Sequence, residues 1–297
     1  MIVNKLFLNW LIFALLSLIW GSSFILIKIG LDNNLTAYQV AAIRIVAAGA
    51  VFLPVAIKSI KQIPRNKLGL VFIAGLMGNL LPSFLFCIAE EGIDSSLAGT
   101  LNCLTPIFVI LTGTVFFNTN TSSQKIIGIV VAFAGSFLLL LSKGEMQQTQ
   151  HIIYVLLVVL ATFLYGFNVN MVSKHLLYLG SFNIAAVALV LNAIPALIVL
   201  IVSGYFALPF SNTQFLIATG AASLLGLMST SFATIIFYKL VKSAGGIFAS
   251  MVTYGVPFIA IGWGIYYGES FGWKQFFCLL IILGGVFIVN WRKKVVS

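Results

Sequence analysis

The chain has 297 residues, 61% hydrophobic and 7% charged, with a mean hydropathy of +1.13. A soluble domain carries about 25% charged residues, so this composition excludes a water-covered globule. The formal net charge of +10 is spread over short clusters that flank apolar stretches. That is how topology determinants facing anionic lipid are arranged, and it gives no reading helix or stacking platform for nucleic acid.

Apolar stretches long enough to cross a bilayer recur from Trp10 to Trp291, at roughly 20 residues each. In chain order the expected spans are 10–30, 36–58, 68–89, 94–116, 124–141, 151–174, 181–204, 213–238, 244–266 and 272–291. The first opens after one positive charge, Lys5, and shows no small-x-small cleavage site, so it reads as a retained helix. Alternate boundaries then sort the charges. One side receives Lys5, Lys58, Lys61, Arg65, Lys67, Lys125, Lys174, Lys239, Lys242, Arg292, Lys293 and Lys294. The other receives all six acidic residues (Asp32, Glu90, Glu91, Asp94, Glu145 and Glu269), with Lys143 and Lys274. Twelve basic residues against two place the first side, and both termini, in the cytoplasm.

Two stretches about 150 residues apart match in order. Phe116-Phe117-Asn118-Thr119 with Gln124-Lys125 and Gly135-Ser136-Phe137 parallels Tyr266-Tyr267-Gly268-Glu269 with Lys274-Gln275 and Gly285-Val286-Phe287. Pro106 finds a counterpart in Pro257, and Trp20-Gly21 in Tyr165-Gly166. The reading is an all-α polytopic membrane protein, ten transmembrane helices arranged as two five-helix repeats at 10–141 and 151–291. Five is odd, so the second repeat crosses in the opposite sense. Inverted repeats of this kind underlie alternating access, with the substrate near midplane at their interface.

Trp20-Gly21-Ser22-Ser23-Phe24, Lys28-Ile29-Gly30, Ala42-Ile43-Arg44, Gly128-Ile129-Val130 with Gly135, and Gly268-Glu269 with Gly284-Gly285-Val286 resemble the EamA family of the drug/metabolite transporter superfamily. The resemblance implies a bacterial or archaeal inner-membrane carrier of small metabolites, whether amino acid-like, organic anion or drug-like. It favours export. The family-like carboxylate at Glu269 has Thr119 at its first-half position, which weakens any role needing an acid in both repeats.

Arg44 lies about 12 Å into its span. An arginine there is costly facing lipid, so it faces the bundle or a wet cavity, as a substrate contact or as a structural or gating element. Lys28 is near enough to its span end to snorkel to the interface. Trp20 and Tyr165 are too deep for an aromatic belt and read as cavity wall or core. Asn79, Asn102, Asn168, Asn170 and Asn192 are amides in apolar helices that need partners. Asn102 is the best binding candidate of these, because Pro106 frees a backbone carbonyl one turn earlier. Pro106 and Pro257 are also kink candidates. Cys87, Cys103 and Cys278 read as packing residues.

No acid lies at mid-membrane, so a buried carboxylate proton relay has no support at this level; Glu90, Glu91 and Glu269, near the outer ends, read as a solvated, topology-neutral face or as groups that titrate in a vestibule. No ATP-binding motif, metal cluster or nucleophile triad is present, so neither an enzyme nor a bound cofactor is expected. The expected partners are a small-molecule substrate and the lipid bilayer. A ten-helix unit can enclose its path as a monomer, and oligomeric state stays open. A channel, and a membrane enzyme or lipid-handling protein, are the alternative readings. Deep cations without deep acids point to a substrate bearing carboxylate or phosphate.

Overall fold

A computed structural model describes residues 2–119, 122–142, 149–209 and 211–290. Lys143, Glu145, Arg292, Lys293 and Lys294 lie outside these, as do the side chains of Lys5, Lys125 and His151. Among the described residues there are helices and no strands. Eight helices are long and apolar enough to cross a membrane: α1 Phe7–Asp32, α2 Ala37–Gln62, α3 Arg65–Ala89, α4 Ser95–Phe117, α6 Ile152–His175, α7 Ser181–Val202, α8 Thr213–Ala244 and α9 Gly246–Tyr266. Between and after them, α5 Ser123–Ser142 and α10 Trp273–Asn290 hold shorter apolar stretches, Ile126–Ser136 and Trp273–Gly285.

The helices begin and end where local chemistry dictates. Thr36 and Gln39 form a reciprocal capping box that starts α2. Asn118, in the left-handed conformation, closes α4. Helix α8 runs past the expected residue 238 to Ala244, and Gly245 at φ +88° makes the tight connection to α9. Large apolar side chains such as Val130, Ile198, Val202 and Phe277 stand exposed on the outer helix faces, where lipid would cover them. Trp273 and Tyr266 are exposed near helix ends, as in interfacial aromatic belts.

The tightest packing joins helices that occupy matching places in the two halves. Helix α2 packs along α7, and α5 along α10. In the α2–α7 seam Gly49 lies against Ala193 and the Leu189 carbonyl, where a Cβ would collide with Ala193. In the α5–α10 seam Gly135 lies against the Ile282 backbone and Gly285 against Ala132 and Gly128, whereas Gly284 faces open space. The remaining contacts come in matching sets: α1 with α8 and α6 with α3, α4 with α6 and α9 with α1.

The helix interruptions also recur at matching places. A π-helical turn occupies Leu76–Leu80 in α3 and Gly226–Phe232 in α8. Short 3-10 turns occupy Asn102–Leu104 in α4 and Met251–Tyr254 in α9. Pro106 and Pro257 each come just after one of these turns, at the start of the next α-helical segment. A proline cannot continue the i→i−4 ladder, so the helix tightens just before it.

Candidate functional site

The four interruptions border a cavity of ≈ 80 Å³. That is room for several waters or a small ligand fragment. Both halves build it. Helices α1, α2, α3 and α4 contribute Trp20, Arg44, Asn79 and Asn102, while α6, α8 and α9 contribute Tyr165, Asn168, Ser229 and Thr253.

Among the described residues, Arg44 is the one charged side chain lining this cavity, and no carboxylate lines it. Its Nε donates to Thr230 Oγ1 at 2.8 Å, and both residues are buried. Thr230 sits in the π turn of α8, whose Gly226 has no Cβ to collide with the Arg44 backbone. The irregular turn and the glycine together bring α8 close enough to hold the guanidinium. No carboxylate of the described residues lies within ion-pair reach of Arg44.

The other expected residues divide between the cavity wall and the helix seams. Trp20 Nε1 donates to the Ser229 carbonyl at 3.1 Å, and its ring packs on Phe237. Tyr165 stacks on Phe86 at 6.1 Å between centroids. Asn79 Oδ1 accepts from Thr234 Oγ1 and Asn102 Oδ1 from Thr105 Oγ1, both at 3.1 Å. Asn168 Nδ2 donates to the Tyr238 hydroxyl, while its buried Oδ1 has no partner. Asn170 and Asn192 lie off the cavity and bond helix carbonyls. All three cysteines are free and buried.

Three expectations are corrected. The carbonyl released by Pro106, that of Asn102, accepts from the Thr105 amide because the chain tightens into a 3-10 turn. Its counterpart before Pro257, the Thr253 carbonyl, accepts from Cys103 Sγ at 3.3 Å. Lys28 is not a free cation at the end of its span. Its Nζ pairs with Glu269 Oε1 at 3.1 Å, a bridge between the two halves.

The side chain of Glu269, read as part of a solvated face, is 3% exposed. Its two oxygens also accept from the amides of Ser95 and Ser96 at 3.1 and 3.0 Å, so it caps α4 from the other half of the chain. Burial works against the Glu269 carboxylate. The hydrogen bonds from Ser96 and Lys28, with the lysine charge, outweigh it and hold its pKa below the usual carboxylate range. Glu91 likewise accepts from the Ala37 amide at the start of α2. Sequence reasoning missed the Lys28–Glu269 pair because the partners lie 241 residues apart. It missed Thr230 because a π turn leaves no mark beyond the Ser-Thr-Ser run at 229–231.

Two helical halves enclosing a largely apolar, cation-bearing chamber within a lipid-facing shell define a multi-pass membrane transporter. Comparison with known proteins agrees. The EamA-like transporter family model matches residues 8–141 and again residues 152–291, so the chain belongs to that family. It is 25% identical over 257 residues to an uncharacterized transporter of Archaeoglobus fulgidus, covering 85% of this chain and 87% of that one. A second protein of that name from the same organism is 28% identical over 253 residues, covering 83% and 84%. An uncharacterized transporter in the trpA 3' region of Buchnera aphidicola is 25% identical over 293 residues, covering 94% and 91%. A solved crystal structure superposes with a TM-score of 0.61 at 13% identity, covering 95% of this chain and 96% of that one, and shares the fold.

Proposed function

We propose that the protein is a secondary carrier of a small organic anion or zwitterion, bound through a carboxylate or phosphate at Arg44. The observation that carries this reading is the unneutralised guanidinium in a chamber built by both halves and free of lining carboxylates. A buried cation without a counter-ion costs heavily unless a ligand supplies one for part of the cycle. Trp20, Tyr165 and Phe86 offer an apolar wall for the rest of the ligand, and the unpartnered Asn168 Oδ1 offers an acceptor for an ammonium or hydroxyl.

Transport proceeds by alternating access between ten transmembrane helices in two inverted repeats, 10–141 and 151–291, with both termini cytoplasmic. The matched packing partners and the matched π and 3-10 turns support an inverted pair. Those turns lie beside the cavity, where a helix with a disturbed ladder bends at least cost. A monomer in a bacterial or archaeal inner membrane suffices, and the family resemblance favours export.

The test is counterflow in proteoliposomes preloaded with either pooled amino acids or pooled organic phosphates. Wild type should accumulate label from one pool. Arg44→Ala should lose it by more than tenfold, and Arg44→Lys, which keeps charge without the planar fork, should retain a fraction. Equal counterflow in wild type and Arg44→Ala refutes the anchoring role, and flux without trans-stimulation would make the protein a channel.

A further inference from the structure

One partly buried acid does not line the Arg44 cavity. Glu90 ends α3 at the acidic end of the bundle, a few ångströms from the Lys28–Glu269 bridge by way of Ser95. Glu90 Oε2 lies 2.7 Å from Ser95 Oγ, and its Oε1 is buried with no partner. Ser95 Oγ is also 3.4 Å from the Phe24 carbonyl. A serine has one proton and cannot donate to both oxygens fully. With a proton on Glu90 the chain closes: Glu90 donates to Ser95 Oγ, and Ser95 donates to Phe24. The orphan Oε1 is then a neutral carbonyl oxygen, far cheaper to bury than half a carboxylate.

The groups around Glu90 determine how its ionisation acts on the bridge. Lys28 approaches from α1, Arg44 from α2 and Glu269 from the segment before α10, while Glu91 and Asp94 stand on its own connection and Asp32 near Lys28. Glu91 is occupied by the Ala37 amide. Burial pushes the Glu90 carboxyl well above the usual carboxylate range, with the charge of Glu269 adding to it against Ser95, Lys28 and Arg44. A charge on Glu90 would compete with Glu269 for the one lysine and repel Glu269 across Ser95.

We infer that Glu90 is a proton-binding site, and that losing its proton releases the Lys28–Glu269 latch and opens the cavity at its acidic end. Linkage gives the sign: the latched form binds the proton more tightly, so it prevails below the Glu90 pKa and gives way as pH rises through it. A cavity ligand that itself favours the opened form would lower proton affinity at Glu90 by the same factor. Ligand and proton would then move in opposite senses. The role of the latch rests on the carrier reading; the proton site does not.

Two measurements test this. Infrared spectra of the full chain in lipid, in heavy water, should show a buried carboxylic-acid band at neutral pH that fades as pH rises. Glu91→Gln should keep the band and Glu90→Gln should lose it. A neutral-pH band that is absent, or that survives in Glu90→Gln, overturns the site. Separately, Ser23→Cys, on the cavity wall, in a background with the native cysteines replaced, is labelled from the acidic side by a membrane-impermeant methanethiosulfonate. Rates are normalised to Ser211→Cys, an exposed loop position. The normalised rate should rise about tenfold or more with pH when Glu90 is present. It should stay low at every pH in Glu90→Gln and high in Lys28→Ala. If Glu90→Gln does not fold, Glu90→Asp should move both titrations together. A flat wild-type profile overturns the latch. Failure of counterflow alone would remove the carrier reading and leave the infrared result standing.

Discussion

Replacing Thr230 by Val keeps the side-chain shape and removes the acceptor that holds Arg44. The hydrogen bond is short, 2.8 Å, and its two residues are 1% and 7% exposed, so water cannot readily take the acceptor's place. A hydrogen bond to a charged group contributes about 1.5–3 kcal/mol. Leaving the Nε–H unsatisfied should cost a comparable amount, since Val supplies no compensating contact. Thr230→Ser keeps the hydroxyl and loses only a methyl, a cost of about 1 kcal/mol. The assay is the thermal midpoint of the purified protein for Thr230→Val, Thr230→Ser, Arg44→Ala and the double variant Thr230→Val/Arg44→Ala. The Val variant should fall clearly below the Ser variant, and the Val effect should largely vanish without Arg44, the mark of a coupled pair. If Val and Ser are indistinguishable, or Val costs as much in the Arg44→Ala background, then Thr230 does not position the guanidinium.

Glu269→Gln should lower stability at neutral pH by about 2 kcal/mol, because it weakens charge-assisted bonds to Lys28, Ser95 and Ser96 while leaving Lys28 able to rehydrate. The Glu269 pKa is depressed in the folded protein, so its contribution is present above the ordinary carboxylate range and is lost as pH falls below it. Thermal midpoints of wild type and Glu269→Gln should therefore converge as pH falls below the usual carboxylate range; a gap that is constant with pH would refute the ion-pair origin. In the α5–α10 seam, Gly285→Ala should destabilise by about 1–3 kcal/mol, since its Cβ meets the backbone of Ala132 and Gly128. Gly284→Ala, facing open space, should change the midpoint little, and equal effects would mean the seam is not packed through Gly285.

Hydropathy and charge were enough to read the helical membrane class, because a bilayer leaves so few ways to satisfy a backbone. Sequence offsets made Pro106 and Pro257, and Trp20 and Tyr165, legible as counterparts. What escaped was set by three-dimensional approach. The π turns depend on how α3 and α8 pack, and neither Leu76–Leu80 nor Gly226–Phe232 has a composition that announces one. Glu269 sits outside every apolar stretch, and only the return of its segment over Ser95 and Ser96 buries it. Arg44 could be placed inside a span from sequence, but its partner Thr230 lies 186 residues away.

Helices α2 and α7 occupy matching places and pack along each other, yet α2 carries Arg44 and α7 carries no charged residue at all. A symmetrical box with its charge on one wall gives a ligand a head and a tail. On the carrier reading proposed above, its anionic end would stay with α2 whichever side is open, and passage would be a change of walls around a molecule that never turns over.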